Sequence, residues 1–213
     1  QQITTSGKYL AIGTAGKGGN IDVTANTLRF LSNTIDASGT MGGGRIRVGG
    51  EYQGGKNLVT DEIKNANFLF MTDAANITAK TTGIDGDGGR IIAWADQEAF
   101  VIGQFDVRPG TQTGAGGFVE VSSGDTLAFK ADIKTGMGDR LGTLLLDPKN
   151  ITIADTKVYS ESPYMIGVGY SSDNDDIDLS EAEFADGTTY RGGDDGFGSG
   201  VSLHGKWLAV GGA

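Results

Sequence analysis

Cysteine is absent from this chain, which removes both a disulfide framework and thiol catalysis. Histidine occurs once, as His204, so catalytic triads built on an imidazole have a single candidate base. That residue falls at the turn of an expected hairpin, which is a surface position. Basic residues are in deficit: 17 Lys and Arg against 27 Asp and Glu leave a net charge of −10. The deficit argues against a nucleic-acid partner, which wants a basic stripe, and against anionic membranes. No apolar run approaches the ~20 residues needed to cross a bilayer. Gln1-Gln2-Ile3 lacks the basic start and apolar run of a signal peptide, so the expectation is an internal piece of a longer protein. Proline is scarce at 3 residues, and no triplet period accompanies the glycines, so the chain is not collagenous.

Glycine is abundant instead, at 37 of 213 residues. Its distribution is periodic. Gly18-Gly19-Asn20-Ile21-Asp22-Val23 returns as Gly43-Gly44-Arg45-Ile46-Arg47-Val48, as Gly88-Gly89-Arg90-Ile91-Ile92-Ala93 and as Gly116-Gly117-Phe118-Val119-Glu120-Val121. A degenerate copy is Leu141-Gly142-Thr143-Leu144-Leu145-Leu146. The second small residue falls at 19, 44, 89, 117 and 142, giving steps of 25, 45, 28 and 25. A period of this size marks a stacked repeat, and the step of 45 marks a coil carrying an insertion.

Each period contains three short strands. After Ile21-Asp22-Val23 come Leu28-Arg29-Phe30 and Thr34-Ile35-Asp36, and the later coils repeat the arrangement with Phe68-Leu69-Phe70, Phe100-Val101-Ile102 and Leu127-Ala128-Phe129. Alternate residues are apolar, the pattern of strands with one buried face. Three strands per coil with glycine-rich corners describe an all-β fold, a right-handed parallel β-helix. Ile21, Ile46, Ile91, Val119 and Leu144 are expected to stack as one interior ladder, and Phe30, Phe70, Ile102 and Phe129 as another. The corner glycines suit sharp turns, often at positive φ. A β-sandwich of hairpins is the competing fold, but it would favour Asn-Gly or Asp-Gly turns; Asn-Gly never occurs, and within the repeat region the Asp-Gly pairs are Asp85-Gly86 and Asp87-Gly88, both at one corner.

The predicted organisation is a β-helix over 1–155, an irregular acidic linker over 156–190 and the start of a small β-domain over 191–213. The second coil's insertion, from Gly49 to Ile63, is expected to leave the helix as a loop. Trp94 and Ile92 should point outward, and Trp94 should pack under that loop rather than stack on a sugar.

Gly142-Thr143-Leu144-Leu145-Leu146-Asp147-Pro148-Lys149-Asn150-Ile151-Thr152-Ile153 resembles the segment that closes the β-helix in large bacterial exoproteins of the filamentous haemagglutinin family. Ile35-Asp36-Ala37-Ser38-Gly39, Gly49-Gly50-Glu51-Tyr52-Gln53-Gly54, Gly89-Arg90-Ile91-Ile92-Ala93-Trp94-Ala95-Asp96 and Gly117-Phe118-Val119-Glu120-Val121-Ser122 agree with it. The resemblance covers residues 1 to about 155. It implies a secreted adhesin on the surface of a Gram-negative bacterium, exported by two-partner secretion or a related route through an outer-membrane partner. Its implied receptor is a host cell or surface, or a glycan on one. Phe197-Gly198 to Trp207-Leu208-Ala209-Val210-Gly211-Gly212-Ala213 resembles one FG-GAP repeat of integrin-type β-propellers, of which a full domain needs several.

Chemistry is sparse. Many β-helices degrade acidic glycans, so a polysaccharide lyase or glycosidase is the rival function. A glycosidase needs two carboxyl groups ~5 to 9.5 Å apart. Asp22, Asp36, Asp106 and Glu120 are candidates for outer faces, but they are spread over different coils and faces, and none pairs with an evident cluster of Lys or Arg on the same strand. Asp173, Asp175, Asp176 and Asp178 are calcium candidates, since Ca²⁺ takes carboxylate oxygens, although Ile177 breaks the helix-loop-helix spacing. The expectation is therefore no catalytic residue, no cofactor unless calcium binds this run, and a role in attachment.

Overall fold

The computed structural model describes residues 1–56 and 63–152, with side chains through 149, and six further short strands as backbone. The first sixteen strands build a parallel β-solenoid of about five turns with three strands per coil. They are β1 (Gln2–Thr5), β2 (Lys8–Leu10), β3 (Asn20–Val23), β4 (Thr27–Phe30), β5 (Thr34–Asp36), β6 (Arg45–Val48), β7 (Phe68–Met71) and β8 (Asn76–Thr78). The series continues with β9 (Arg90–Ala95), β10 (Glu98–Val101), β11 (Gln104–Asp106), β12 (Phe118–Ser123), β13 (Thr126–Phe129), β14 (Asp132–Lys134), β15 (Thr143–Leu146) and β16 (Asn150–Thr152). Every third strand pairs in parallel, giving a first face β1-β4-β7-β10-β13-β16, a second β2-β5-β8-β11-β14 and a third β3-β6-β9-β12-β15. Strand β1 was not foreseen, because Gln2-Ile3-Thr4-Thr5 carries one strongly apolar residue.

Register decides the core. On the third face Ile21, Ile46, Ile91, Val119 and Leu144 occupy one rung position, as the alternation predicted. All five are buried. The second face contributes Tyr9, Ile35, Ile77, Phe105 and Ile133. The first face corrects the aromatic ladder. Phe30 pairs with Met71, Met71 with Val101 and Val101 with Phe129, so the interior rung excludes Phe70 and Ile102. A shift of one residue reverses which face a side chain occupies. Phe70 therefore lies on the outside, where its ring stacks on Phe100 with centroids 5.0 Å apart and 17° between planes.

The paired glycines owe their place to the spacing between coils rather than to backbone strain. A side chain on Gly44 would run into the carbonyl oxygen of Gly19 one coil below. At these corners positive φ falls just before the pairs instead, at Gly42 (150°), Gly86 (129°) and Gly114 (102°).

Beyond the solenoid, β17 (Lys157–Tyr159) pairs antiparallel with β18 (Ile166–Val168), and β19 (Ala182–Glu183) with β20 (Thr189–Tyr190). Strands β21 (Phe197–His204) and β22 (Trp207–Gly212) form an antiparallel hairpin. Its first strand pairs antiparallel with β15 through Leu145 with Ser202 and Leu146 with Val201.

Candidate functional site

The described start of the insertion after β6, residues 49–56, leaves the strand as a loop and folds back onto the solenoid. Gly49, at φ 83°, turns the chain outward while its N–H still donates to Val23 O at 2.9 Å. Residues 50–56 then lie back across the outer surface of the third face as a strap. Glu51 receives the Tyr52 N–H at 2.8 Å, and Gly54 N–H donates to Glu51 O at 2.9 Å, closing a tight turn with Gln53 at φ 49°. Ala66 N–H returns to Gly49 O at 2.6 Å.

Three anchors hold the strap down. The first is Arg47, 3% exposed, whose Nε and Nη2 each donate to Asp22 at 2.7 Å while Nη1 reaches Glu51. This fork pushes the Asp22 carboxyl below its ordinary range, chiefly through the hydrogen bonds from Arg47. The second is Trp94, which faces outward and packs under the strap as expected, with 2% exposure. Its indole N–H donates to Asp96 at 2.8 Å, and Asn65 joins the same carboxylate at 2.8 Å and Gly54 O at 3.0 Å. A Cβ on Gly54 would come within 2.5 Å of the indole ring, so glycine suits both the turn and the contact.

The third anchor is Glu120, placed on an outer face by its alternation yet fully buried there. The Gln53 N–H donates to both of its oxygens, at 3.0 and 3.2 Å, and the Gln53 side-chain amide donates to Asp147 at 3.3 Å. Burial pushes the Glu120 carboxyl up to about 7, opposed by the Gln53 N–H, the Ser122 hydroxyl and Arg90, and assisted by Asp147.

Beside the strap runs an open groove of about 520 Å³, at the corner between the second and third faces. Its floor is the paired glycines of successive coils. Its walls carry Lys17, Arg45 and Arg90, with Asn20, Phe118 and Thr143, and no acidic residue lines it. Arg90 lies 4.7 Å from the ring centroid of Tyr52 and 4.5 Å from that of Phe118. The two rings meet edge to face at 5.9 Å. Those cation–π contacts fix the guanidinium at the edge of the strap.

The other carboxylates singled out from the sequence are dispersed. Asp106 is on the outside of the second face, bound by Arg108 at 2.6 Å and Lys80 at 3.2 Å. Asp36 receives the Ser38 N–H at 2.8 Å. None of these acids has a basic partner on its own strand, as expected: Arg47 and Lys80 reach Asp22 and Asp106 from neighbouring coils, and Arg108 stands just past the end of β11. Asp173, Asp175, Asp176 and Asp178 lie outside the described residues, and His204 is described only as backbone in β21. Among the described residues no group of three or more potential metal ligands converges.

Sequence reasoning missed the arginine ladder. The signal was present: aligning the repeats places Asn20, Arg45, Arg90, Phe118 and Thr143 immediately after the glycine pair or its equivalent. Strand register puts those residues on adjacent rungs.

Fold and site together define the class: a parallel β-solenoid with a strapped outer face and a basic, glycine-floored groove. No protein-family model matches the chain, and no curated protein matches it.

Proposed function

We propose that this chain is part of a secreted bacterial surface adhesin of the filamentous haemagglutinin type. The solenoid acts as a rigid stalk that presents its loops, or domains beyond it, for attachment to cells, surfaces or glycans. Export through an outer-membrane partner and a location at the cell surface belong to the same reading. So does an FG-GAP-type repeat opening at 191–213.

The observation that carries this reading is the uninterrupted register of the solenoid. Each rung stacks on the next through main-chain pairing on three faces. Such a scaffold resists bending and lengthens simply by adding coils. Its outer carboxylates Asp22 and Asp106 are engaged in ion pairs.

A second reading, a carbohydrate-active enzyme, draws on Glu120 and Asp147. Both are bound by Gln53, and the Glu120 carboxyl stands at about 7, the environment a general acid uses. Against it, Glu120 is fully buried and its oxygens receive the strap's main chain.

A glycan array run in parallel with turnover assays on the purified 213-residue chain separates the two readings. Retention of a glycan or host-cell surface without product is expected. Release of shortened or unsaturated products, abolished by Glu120→Gln, would replace attachment with catalysis.

A further inference from the structure

We propose that the groove between the second and third faces binds a linear anionic polysaccharide, with Arg45 and Arg90 as its central anion contacts. This names a ligand class for the attachment reading and rests on it.

The case begins with charge. The chain carries a net charge of −10, yet the lining of its groove contains Lys17, Arg45 and Arg90 and no acid. Arg45 and Arg90 are direct cross-strand partners. Like charges placed opposite one another on neighbouring strands repel. The protein offsets this repulsion only in part, through the rings that hold Arg90 and the nearby Glu120 and Asp22 carboxyl groups. The Asp22 carboxylate lies 3.9 Å from Arg45 but is held by Arg47 at 2.7 Å. The Arg45 Nε is buried and has no hydrogen-bond partner within the protein. Among the described residues, neither Lys17 nor Arg90 has an ion-pair partner within 4.0 Å. An anionic group between the two guanidinium groups would remove the repulsion and supply the missing acceptor.

Geometry selects the class of anion. The rung from Asn20 through Arg45, Arg90 and Phe118 to Thr143 runs across five strands. At ~4.8 Å per strand step it is about 19 Å long, a straight track suited to several units of an extended polymer. Its composition is cationic in the middle and neutral at the ends, where Asn20 and Thr143 offer an amide and a hydroxyl. Sugar hydroxyls meet such groups well. A nucleic acid, carrying a charge every ~1.7 Å of duplex, would meet a net-negative protein over most of its length. Arg90 is pre-positioned by Tyr52 and Phe118, so less side-chain freedom is lost when an anion binds it.

The test uses the whole chain with four probes: polygalacturonate, dextran sulfate, neutral dextran and a single-stranded oligonucleotide. Titration calorimetry at low salt is expected to show binding of one or both acidic polysaccharides and none of dextran, with affinity falling as salt rises. Arg45→Gln should weaken binding about tenfold, the equivalent of ~1.4 kcal/mol, and the pair with Arg90→Gln should weaken it further. Lys17→Gln probes the same groove from an exposed side chain. Lys130→Gln, exposed at the corner between the first and second faces, should change nothing. Matching thermal melts would show that the variants are folded.

Equal binding by wild type and Arg45→Gln/Arg90→Gln would overturn the inference, as would no binding of either acidic polysaccharide. Preference for the oligonucleotide would overturn it too. If an acidic polysaccharide binds through the arginines and is cleaved, the groove stands and the attachment reading falls. If the chain holds other glycans or cells but ignores both polyanions, attachment stands and the groove falls.

Discussion

The middle strands of the third sheet are buried on both sides, by different means. Inside, the rung is Ile21, Ile46, Ile91, Val119 and Leu144, uniformly apolar. One residue further along each strand, on the outside, the rung is Asp22, Arg47, Ile92, Glu120 and Leu145. Arg47, Ile92 and Glu120 are as buried as the interior because the strap covers them. Inner burial is produced by the repeat itself, which offers no polar partner to anything placed there. Outer burial is produced by a single insertion, which brings its own donors and acceptors. The same sheet therefore excludes charge on one side and accommodates it on the other.

The sharpest break in that comparison is Val119→Asp against its neighbour Glu120. Both positions are 0% exposed. The carboxylate introduced in place of Val119 would meet only apolar side chains, and an unpaired buried carboxylate costs about 4 kcal/mol or more. Denaturant melts should show this loss, while Asn76→Asp on the exposed side of β8 should stay within ~0.5 kcal/mol of wild type. Similar losses for the two would refute the inside–outside assignment. Thr24, which reads from the sequence as a water-facing position, is a poor control because its hydroxyl donates to the Lys64 carbonyl beneath the insertion.

Removing the strap's aromatic anchor comes next. Trp94→Ala should cost about 3 kcal/mol, the lower end for a buried tryptophan, because the strap can partly collapse. Faster amide exchange in residues 50–56 should accompany it, while β8 and β11 keep their protection. Loss of protection throughout the solenoid would mean that the outer face is not an independent layer.

The effect of pH separates the outer acids from one another. The Glu120 carboxyl stands at about 7 against an ordinary 4.5, mainly because it is buried. Between those values the folded chain keeps a proton that the unfolded chain has lost. The stability this group contributes is therefore complete below about 4.5 and is lost as pH rises to about 7. Its size is up to ~3 kcal/mol. Asp22 and Glu51 shift downward. Hydrogen bonds from Arg47 dominate at Asp22, whereas at Glu51 burial pushes upward and is outweighed by the Tyr52 N–H and Arg47. Their stability is present above their ordinary values and is lost as pH falls below them. Melting temperature should decline from pH 5 to pH 8 in the wild type, and Glu120→Gln should flatten the decline. An unchanged slope in the variant would exclude Glu120 as its source.

The solenoid was legible because its repeat restates one physical requirement at every coil. Alternation around Ile21, Ile46, Ile91 and Val119 left one workable register, and the structure adopts it. The first face misled at Phe68-Leu69-Phe70-Met71, where apolar residues occupy both sides and alternation carries no information. Size suggested the phenylalanines for the core, but pairing puts Leu69 and Met71 there and Phe70 outside on Phe100. The strap was legible as an interruption of the period and as a cover for Trp94, but not in its polar contacts. Its contacts join Gln53 to Glu120 and Asp147 across 67 and 94 residues, and no local pattern encodes such a pairing. The groove lay between these cases. Its arginines follow the glycine pairs in plain sight, but net charge alone argued against a basic site.

The smallest expected change in fold stability comes from deleting 191–213. Strand β21 adds to the third sheet through its backbone pairing with β15. That pairing lies beyond the last rung of the inner ladder, so its removal exposes an edge and leaves the stacked coils in place. The main thermal transition should move by no more than about 4 °C, the shift that ~1 kcal/mol produces in a chain of this size. The exposed β15 edge, carrying Leu144, Leu145 and Leu146, then offers unpaired main-chain groups to a second molecule. Light scattering should show more self-association than in the full chain, and circular dichroism should keep the main β signal. Collapse of that signal would mean that the edge hairpin supports the inner ladder, and that the division between repeat-made and added burial fails at this end of the solenoid.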